Sequence, residues 1–286
     1  MRGSRLLPPR WLVLPPLLAI LIVGGGFFGL RQLELLMSFH PDRYDTAHPW
    51  TLPPNTEDVW FTTADGVRLH GWLTRTQQAP RRGVVLHFHG NGGSIPGYFI
   101  SAWLLHEQGF DVMVWDYRGF GRSEGRSRDE QTLHRDGEAA HRFITDQLAV
   151  RDEDLILLGY SLGTTVATEI AARHGCRALI LHAPVASMRW QVADKMPFMP
   201  QPLLIIARSR FETVGRIANV RCPVQVQHGE RDEVVSVAQG RAVFGAAREP
   251  KQLVIYPDGD HLISQKSAPR WVDDTIKFLA HVPAGR

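Results

Sequence analysis

The segment Leu155-Ile156-Leu157-Leu158-Gly159-Tyr160-Ser161-Leu162-Gly163-Thr164-Thr165 decides how the rest of the chain is read. Leu155 to Leu158 is a short apolar run with the length of a fully buried strand. It breaks at Gly159, and a helix-compatible stretch from Leu162 to His174 begins at once and stops at Gly175. Between them lies Gly159-Tyr160-Ser161-Leu162-Gly163, the pattern G-x-S-x-G. A serine on so tight a strand-to-helix turn is held in strained backbone geometry. Glycines two residues to either side remove the Cβ atoms that would clash there. Its Oγ then stands above the sheet at a helix N-terminus, whose dipole favours developing negative charge. The bare pattern recurs by chance. Its place between a buried strand and a helix makes Ser161 a candidate nucleophile rather than an ordinary turn residue.

Upstream of this turn, strands are expected over Glu57 to Thr62 and Val67 to Leu73, around the hairpin signal Ala64-Asp65-Gly66. Gly83 to Phe88 and Asp111 to Trp115 follow as strands, with helices over about Pro96 to Gln108 and Gln131 to Leu148. Downstream come strands Ala178 to Leu181, Val224 to Gln227 and Gln252 to Tyr256, with helices about Val237 to Ala246 and Pro269 to Ala280. Strands alternating with helices predict an α/β fold, a mostly parallel doubly wound sheet. Pro184 to Val220 interrupts the alternation with an apolar, proline-containing stretch. One reading makes it a small cap over the carboxyl ends of the strands, with Met188, Trp190 and Phe198 lining a substrate pocket. The other makes it a surface helix packed on the core.

The 286 residues are 44% apolar and 21% charged, an ordinary globular composition. A formal charge of +3 comes from dispersed arginines, with no basic block interleaved with aromatics, so nucleic acid is not an expected partner. Trp11 to Leu30 is uncharged throughout and follows Arg2, Arg5 and Arg10. Twenty such residues as a helix would span about 30 Å, the thickness of a bilayer's hydrocarbon core. A cleaved signal peptide is the competing reading, but no A-x-A site follows the run, which favours a retained single-span anchor. The leading arginines place the N-terminus in the cytoplasm and the large domain on the extracytoplasmic, periplasmic side. The expected organisation is therefore a cytoplasmic tip and transmembrane helix over 1–31, a linker over 32–56, and a domain over 57–286 with a cap about 184–220.

A serine at neutral pH needs a base, and the base needs an orienting carboxylate. Asp232 lies just past the strand Val224 to Gln227, and Glu230 and Glu233 are its nearest competitors. His261 lies just past Gln252 to Tyr256, on the glycine-containing loop Pro257 to His261. Backbone N–H donors for an oxyanion are expected from Leu162 and from the glycine-rich loop after Phe88, at Asn91 or alternatively Gly92. His87 and His89 share a strand face, yet no third ligand is tied to them by spacing, so no metal or other cofactor is expected. His89 more naturally braces the oxyanion loop.

The residues HGNGG (His89 to Gly93), DYRGFGRS (Asp116 to Ser123), GYSLG (Gly159 to Gly163), HGERDEVV (His228 to Val235) and GDH (Gly259 to His261) resemble the α/β-hydrolase superfamily. They are most similar to its single-span, membrane-anchored serine hydrolases, a branch with lysophospholipase-like and acyl-protein-thioesterase-like members. The resemblance runs from about Pro41 to the C-terminus. It implies an eight-stranded core and a Ser161–Asp232–His261 triad. The expected reaction is hydrolysis of small-molecule carboxylic esters or thioesters through an acyl-enzyme, and the apolar span and cap point to lipid-like acyl chains as substrates. A serine peptidase of the same fold is the alternative, and a tethered non-catalytic binding module a more distant one. Cys176 and Cys222 each precede a strand; two buried free thiols are the first reading, and a disulfide in an oxidising compartment is the second if those strands are neighbours.

Overall fold

The computed structural model describes residues 38–198, 209–263 and 270–284, with some positions between 24 and 35. The expected membrane span, Trp11 to Leu30, falls mostly outside these residues, as do Met199, Leu203 and Leu204 of the expected cap. Among the described residues no helix is long and apolar enough to cross a membrane.

Alternation within each strand builds the core. In the strand Leu155–Tyr160, Leu155 and Leu157 join the cluster on one face of the sheet, while Ile156 and Leu158 join the cluster on the other. A strand buried on both faces reads as a continuous apolar run. In chain order the strands are β1 His40–Pro41, β2 Thr56–Thr62, β3 Arg68–Thr74, β4 Val84–Phe88, β5 Gly92–Gly93, β6 Asp111–Trp115, β7 Leu155–Tyr160, β8 Ala178–His182, β9 Val224–Gly229 and β10 Lys251–Tyr256. Eight of them form one sheet in the order β10-β9-β8-β7-β4-β6-β3-β2. Only the β2–β3 and β3–β6 pairs are antiparallel. The parallel part therefore has all its carboxyl ends on one edge.

The helices are α1 Ile95–His106, α2 Glu130–Arg142, α3 Gly163–His174, α4 Met188–Lys195, α5 Thr213–Ile217, α6 Val237–Ala246 and α7 Arg270–Ala280. Helices α1 and α7 cover one face of the sheet, and α2, α3, α5 and α6 the other. Helix α2 starts on a capping box, with Asp129 accepting from Thr132 N–H. It is shorter than expected: the turn widens to a π-helix over Phe143–Gln147, which carries Phe143 and Ile144 into the core.

Part of the expected linker has structure of its own. His40–Pro41 pairs in parallel with Gly92–Gly93, and Tyr44 N–H donates to Gly121 O at 3.0 Å. Trp50 then packs edge-on against Trp72 and Tyr44.

Strands β8 and β9 are neighbours, and Cys176 and Cys222 meet at their amino ends as unbonded thiols with sulfurs 2.8 Å apart. Burial, followed by the Cys222 sulfur beside it, pushes the Cys176 thiol well up. Thiol counting on denatured, non-reduced protein is expected to find two thiols in protein kept under reductant. After treatment with oxidised glutathione it is expected to find none. Two thiols after that treatment would rule the bridge out.

Candidate active site

Four loops leave the carboxyl ends of parallel strands and converge. Ser161 follows β7, the Gly90–Gly93 loop follows β4, Asp232 follows β9 and His261 follows β10. At about 4.8 Å per strand, β9 lies roughly 10 Å from β7, a gap that one imidazole between two side chains can span.

Ser161 has φ 51°, the left-handed region that costs a non-glycine residue energy, and its N–H donates to His182 O at 2.9 Å. The flanking glycines are explained atom by atom. A Cβ on Gly159 would stand 2.7 Å from Thr164 Cα, and one on Gly163 would stand 2.1 Å from Phe88 O. The turn therefore presses α3 onto the end of β4.

His261 links the other two groups. Its Nε2 lies 3.1 Å from Ser161 Oγ and its Nδ1 lies 2.8 Å from Asp232 Oδ2. The carboxylate can only accept, so Nδ1 carries the proton and Nε2 is left to accept from the serine hydroxyl. Asp232 Oδ1 accepts from the N–H groups of Val234 and Val235, both at 2.8 Å. Burial opposes the charge on Asp232. The hydrogen bonds from His228 and His261 outweigh it and hold the carboxyl well below the usual carboxylate range. Glu230 instead pairs with Arg241, and Glu233 is exposed, its carbonyl accepting from Lys195.

The Gly90–Gly93 loop is held from three sides. His89 donates from Nδ1 to Gly90 O at 2.8 Å and stacks on Tyr98, whose hydroxyl donates to Gly92 O at 2.7 Å. Asn91 O accepts from His40 N–H at 2.7 Å, which fixes the Asn91–Gly92 peptide, while the His89 bond to Gly90 O fixes the peptide that carries the Asn91 N–H. Leu162, the N-cap one residue ahead of α3, has an N–H without an acceptor inside the helix. Burial pushes His89 down to about 4 and His87 down to about 3, so both rings are neutral.

Of the three residues expected to line a pocket, Met188 packs against the core cluster, while Trp190 and Phe198 are 38% and 80% exposed. Helix α4 docks on the Asp232 loop: Gln191 donates to Val234 O at 2.7 Å, and Lys195 to Glu233 O.

Two further groups reach the site and were not singled out from the sequence. The Tyr160 hydroxyl donates to His261 O at 3.0 Å and so fixes the loop that carries the imidazole. His228 is fully buried, with Nε2 2.9 Å from Val235 O and 3.3 Å from Asp232 Oδ2. A histidine four residues ahead of the acid, at the end of a buried strand, is the signal that could have marked it. Replacing His228 by leucine is expected to lower kcat about tenfold, the worth of one hydrogen bond to a charged group, with KM unchanged. Steady-state kinetics on a variant with unaltered circular dichroism checks this.

His182, whose carbonyl holds the Ser161 peptide, has a ring that burial pushes down to about 3. The unfolded chain protonates near 6.5, so this ring contributes stability above that pH and loses it as the pH falls toward 3. The slope is about 1.4 kcal/mol per pH unit. The stability advantage of the native chain over His182→Asn is expected to shrink at that slope between pH 6 and pH 4. Urea unfolding of the two proteins across this range measures the difference, and a flat difference contradicts the account.

The sheet order, the strained serine turn and this Ser–His–Asp chain mark one class, and the chain belongs to the α/β-hydrolase superfamily. Residues 79–214 match the family Hydrolase_4, described as serine aminopeptidase, S33. That match contains Ser161 and ends before Asp232 and His261. The protein YfhR of Salmonella typhimurium is 33% identical over 245 residues, covering 79% of this chain and 82% of the relative. Human alpha/beta hydrolase domain-containing protein 17B is 27% identical over 217 residues, covering 70% and 72%. Among solved structures, the Pyrococcus furiosus esterase Pf2001 is similar in fold. Its TM-score is 0.70 at 19% identity, covering 86% of this chain and 98% of that one.

Proposed function

We propose that the protein is a serine hydrolase that cleaves carboxylic esters or thioesters through an acyl-enzyme. The observation that carries this reading is the hydrogen-bonded chain from Ser161 Oγ through His261 to Asp232, at 3.1 and 2.8 Å. Ser161 Oγ attacks the acyl carbon as His261 Nε2 takes its proton. Asp232 keeps the imidazole in the needed tautomer and stabilises the cation that forms. The N–H groups of Leu162 and Asn91 receive the oxyanion. His261 then returns the proton to the leaving alcohol or thiol, and water repeats the sequence to release the acid.

Exposed apolar side chains around the loops favour an acyl chain as the group bound. Val234 and Leu262 flank Asp232 and His261 and are 47% and 38% exposed. The uncharged run Trp11 to Leu30 supports a membrane tether with the domain on the extracytoplasmic side, and membrane fractionation of the full chain tests it.

The description of the matched family favours a second reading, an aminopeptidase. That activity needs carboxylates free to bind a substrate ammonium. Asp194 in the cap already accepts from Ser236 at 2.7 Å and Gln239 at 3.1 Å. A panel of p-nitrophenyl esters from acetyl to dodecanoyl, an acyl thioester and aminoacyl p-nitroanilides decides between them. Turnover rising with acyl length supports the proposal. Turnover confined to the aminoacyl anilides overturns it.

A further inference from the structure

At the opposite end of the sheet from Ser161, the ends of α2 and α3 bring together a group of side chains that the proposed reaction does not use. Helix α3 is 12 residues long, which sets its last residue, His174, about 18 Å along the axis from the serine turn. Glu138 and His141 stand three residues apart on α2 and so share a face. The two helices lie close because α2 has a glycine at the crossing: a Cβ on Gly137 would stand 2.6 Å from Val166 Cγ1.

His174 Nε2 is 2.9 Å from Glu138 Oε2, and the His174 ring stacks on His141 with centroids 4.2 Å apart and planes 19° apart. One nitrogen or oxygen from each of Glu138, His141 and His174 lies within 4.8 Å of the other two. His141 Nε2 is 2.7 Å from Asp152 Oδ1 and donates to it, which leaves Nδ1 as a lone-pair acceptor. That atom is buried and has no hydrogen-bond partner, on a side chain only 4% exposed. A buried imidazole with one nitrogen tied to a carboxylate and the other bare is the arrangement that prepares a histidine to bind a metal ion.

We propose that Glu138, His141 and His174 form a binding site for one divalent transition cation of the zinc class, with Asp152 orienting His141. Two imidazoles and one carboxylate favour zinc, copper, nickel or cobalt over magnesium or calcium. Three protein ligands leave a fourth position to water. The lone pairs of two stacked rings lie in near-parallel planes and do not converge, so His174 turns out of the stack to meet the ion. It is placed to do so, as its side chain is 30% exposed and it ends α3 ahead of Gly175 at φ 83°. The bound ion staples α2 to α3 and stabilises the folded chain by mass action.

Calorimetric titration of the full chain with zinc sulfate, after treatment with EDTA and desalting, tests the site together with thermal melts. One equivalent is expected to bind at micromolar Kd or tighter and to raise Tm. His174→Ala and Glu138→Gln, both at partly exposed positions, are each expected to weaken binding at least tenfold and to abolish the zinc-dependent rise. Their melting without zinc should stay close to that of the native chain. Asp152→Asn is expected to weaken binding about 10- to 100-fold with all three ligands intact. Equal zinc affinity in the native and His174→Ala proteins overturns the proposal, because the metal is then held by other histidines. Absence of one-to-one binding overturns it too and leaves the cluster as an ion-paired histidine stack.

Discussion

Ser161→Ala is expected to lower ester turnover by about 10⁴- to 10⁶-fold, to the level left by transition-state binding without a nucleophile. The size of the loss follows from the placement of the Ser161 hydroxyl: its Oγ lies 3.1 Å from a base that Asp232 already orients. Removing it leaves the imidazole with no hydroxyl to activate. The fold should be untouched, because alanine meets the same φ of 51° with one atom fewer to place. A Tm within a few degrees of native, alongside lost turnover and lost labelling by a fluorophosphonate probe, is the expected pattern. Native turnover in Ser161→Ala would dismiss the serine mechanism altogether, whichever acyl group the enzyme prefers.

The elements that the sequence made legible are those in which one short segment carries its own signal. Strand β7 and the serine turn are an apolar run followed by paired glycines, and Asp232 and His261 each follow a strand that can be recognised alone. Groups that depend on contact between distant segments were not legible. Tyr160 reaches His261 across 101 residues, and His40 reaches Asn91 from a stretch whose prolines and histidines resemble a tether. His228 was hidden differently: it sits inside a quoted motif, but nothing local shows that the ring turns inward to Asp232. The π-turn after α2 escaped for a similar reason. Its residues suit a helix, and only the core beneath them shows why the backbone widens to bury Phe143 and Ile144.

Gly163→Ala is expected to destabilise the chain by more than about 4 kcal/mol, a large share of the 5–15 kcal/mol that holds a typical domain. A methyl group here would lie 2.1 Å from Phe88 O, 2.5 Å from His89 O and 2.6 Å from Phe88 C. All three are backbone atoms at the end of a central strand, so none can swing aside as a side-chain tip would. Relief requires α3 to move off β4 by about an ångström, and closely packed interiors resist such shifts. The movement would separate Leu162 from the Asn91 loop, so any folded fraction should also lose turnover. Gly97→Ala in α1 supplies the contrast, since a Cβ there meets nothing within 4 Å. That change is expected to be neutral or to stabilise by about 0.5–1 kcal/mol through helix propensity. Thermal melts of the two variants compare a glycine required by close approach with one that is not. A Gly163→Ala protein melting near the native temperature would mean that α3 and β4 are not in contact at this turn, and the strained serine geometry would lose its cause.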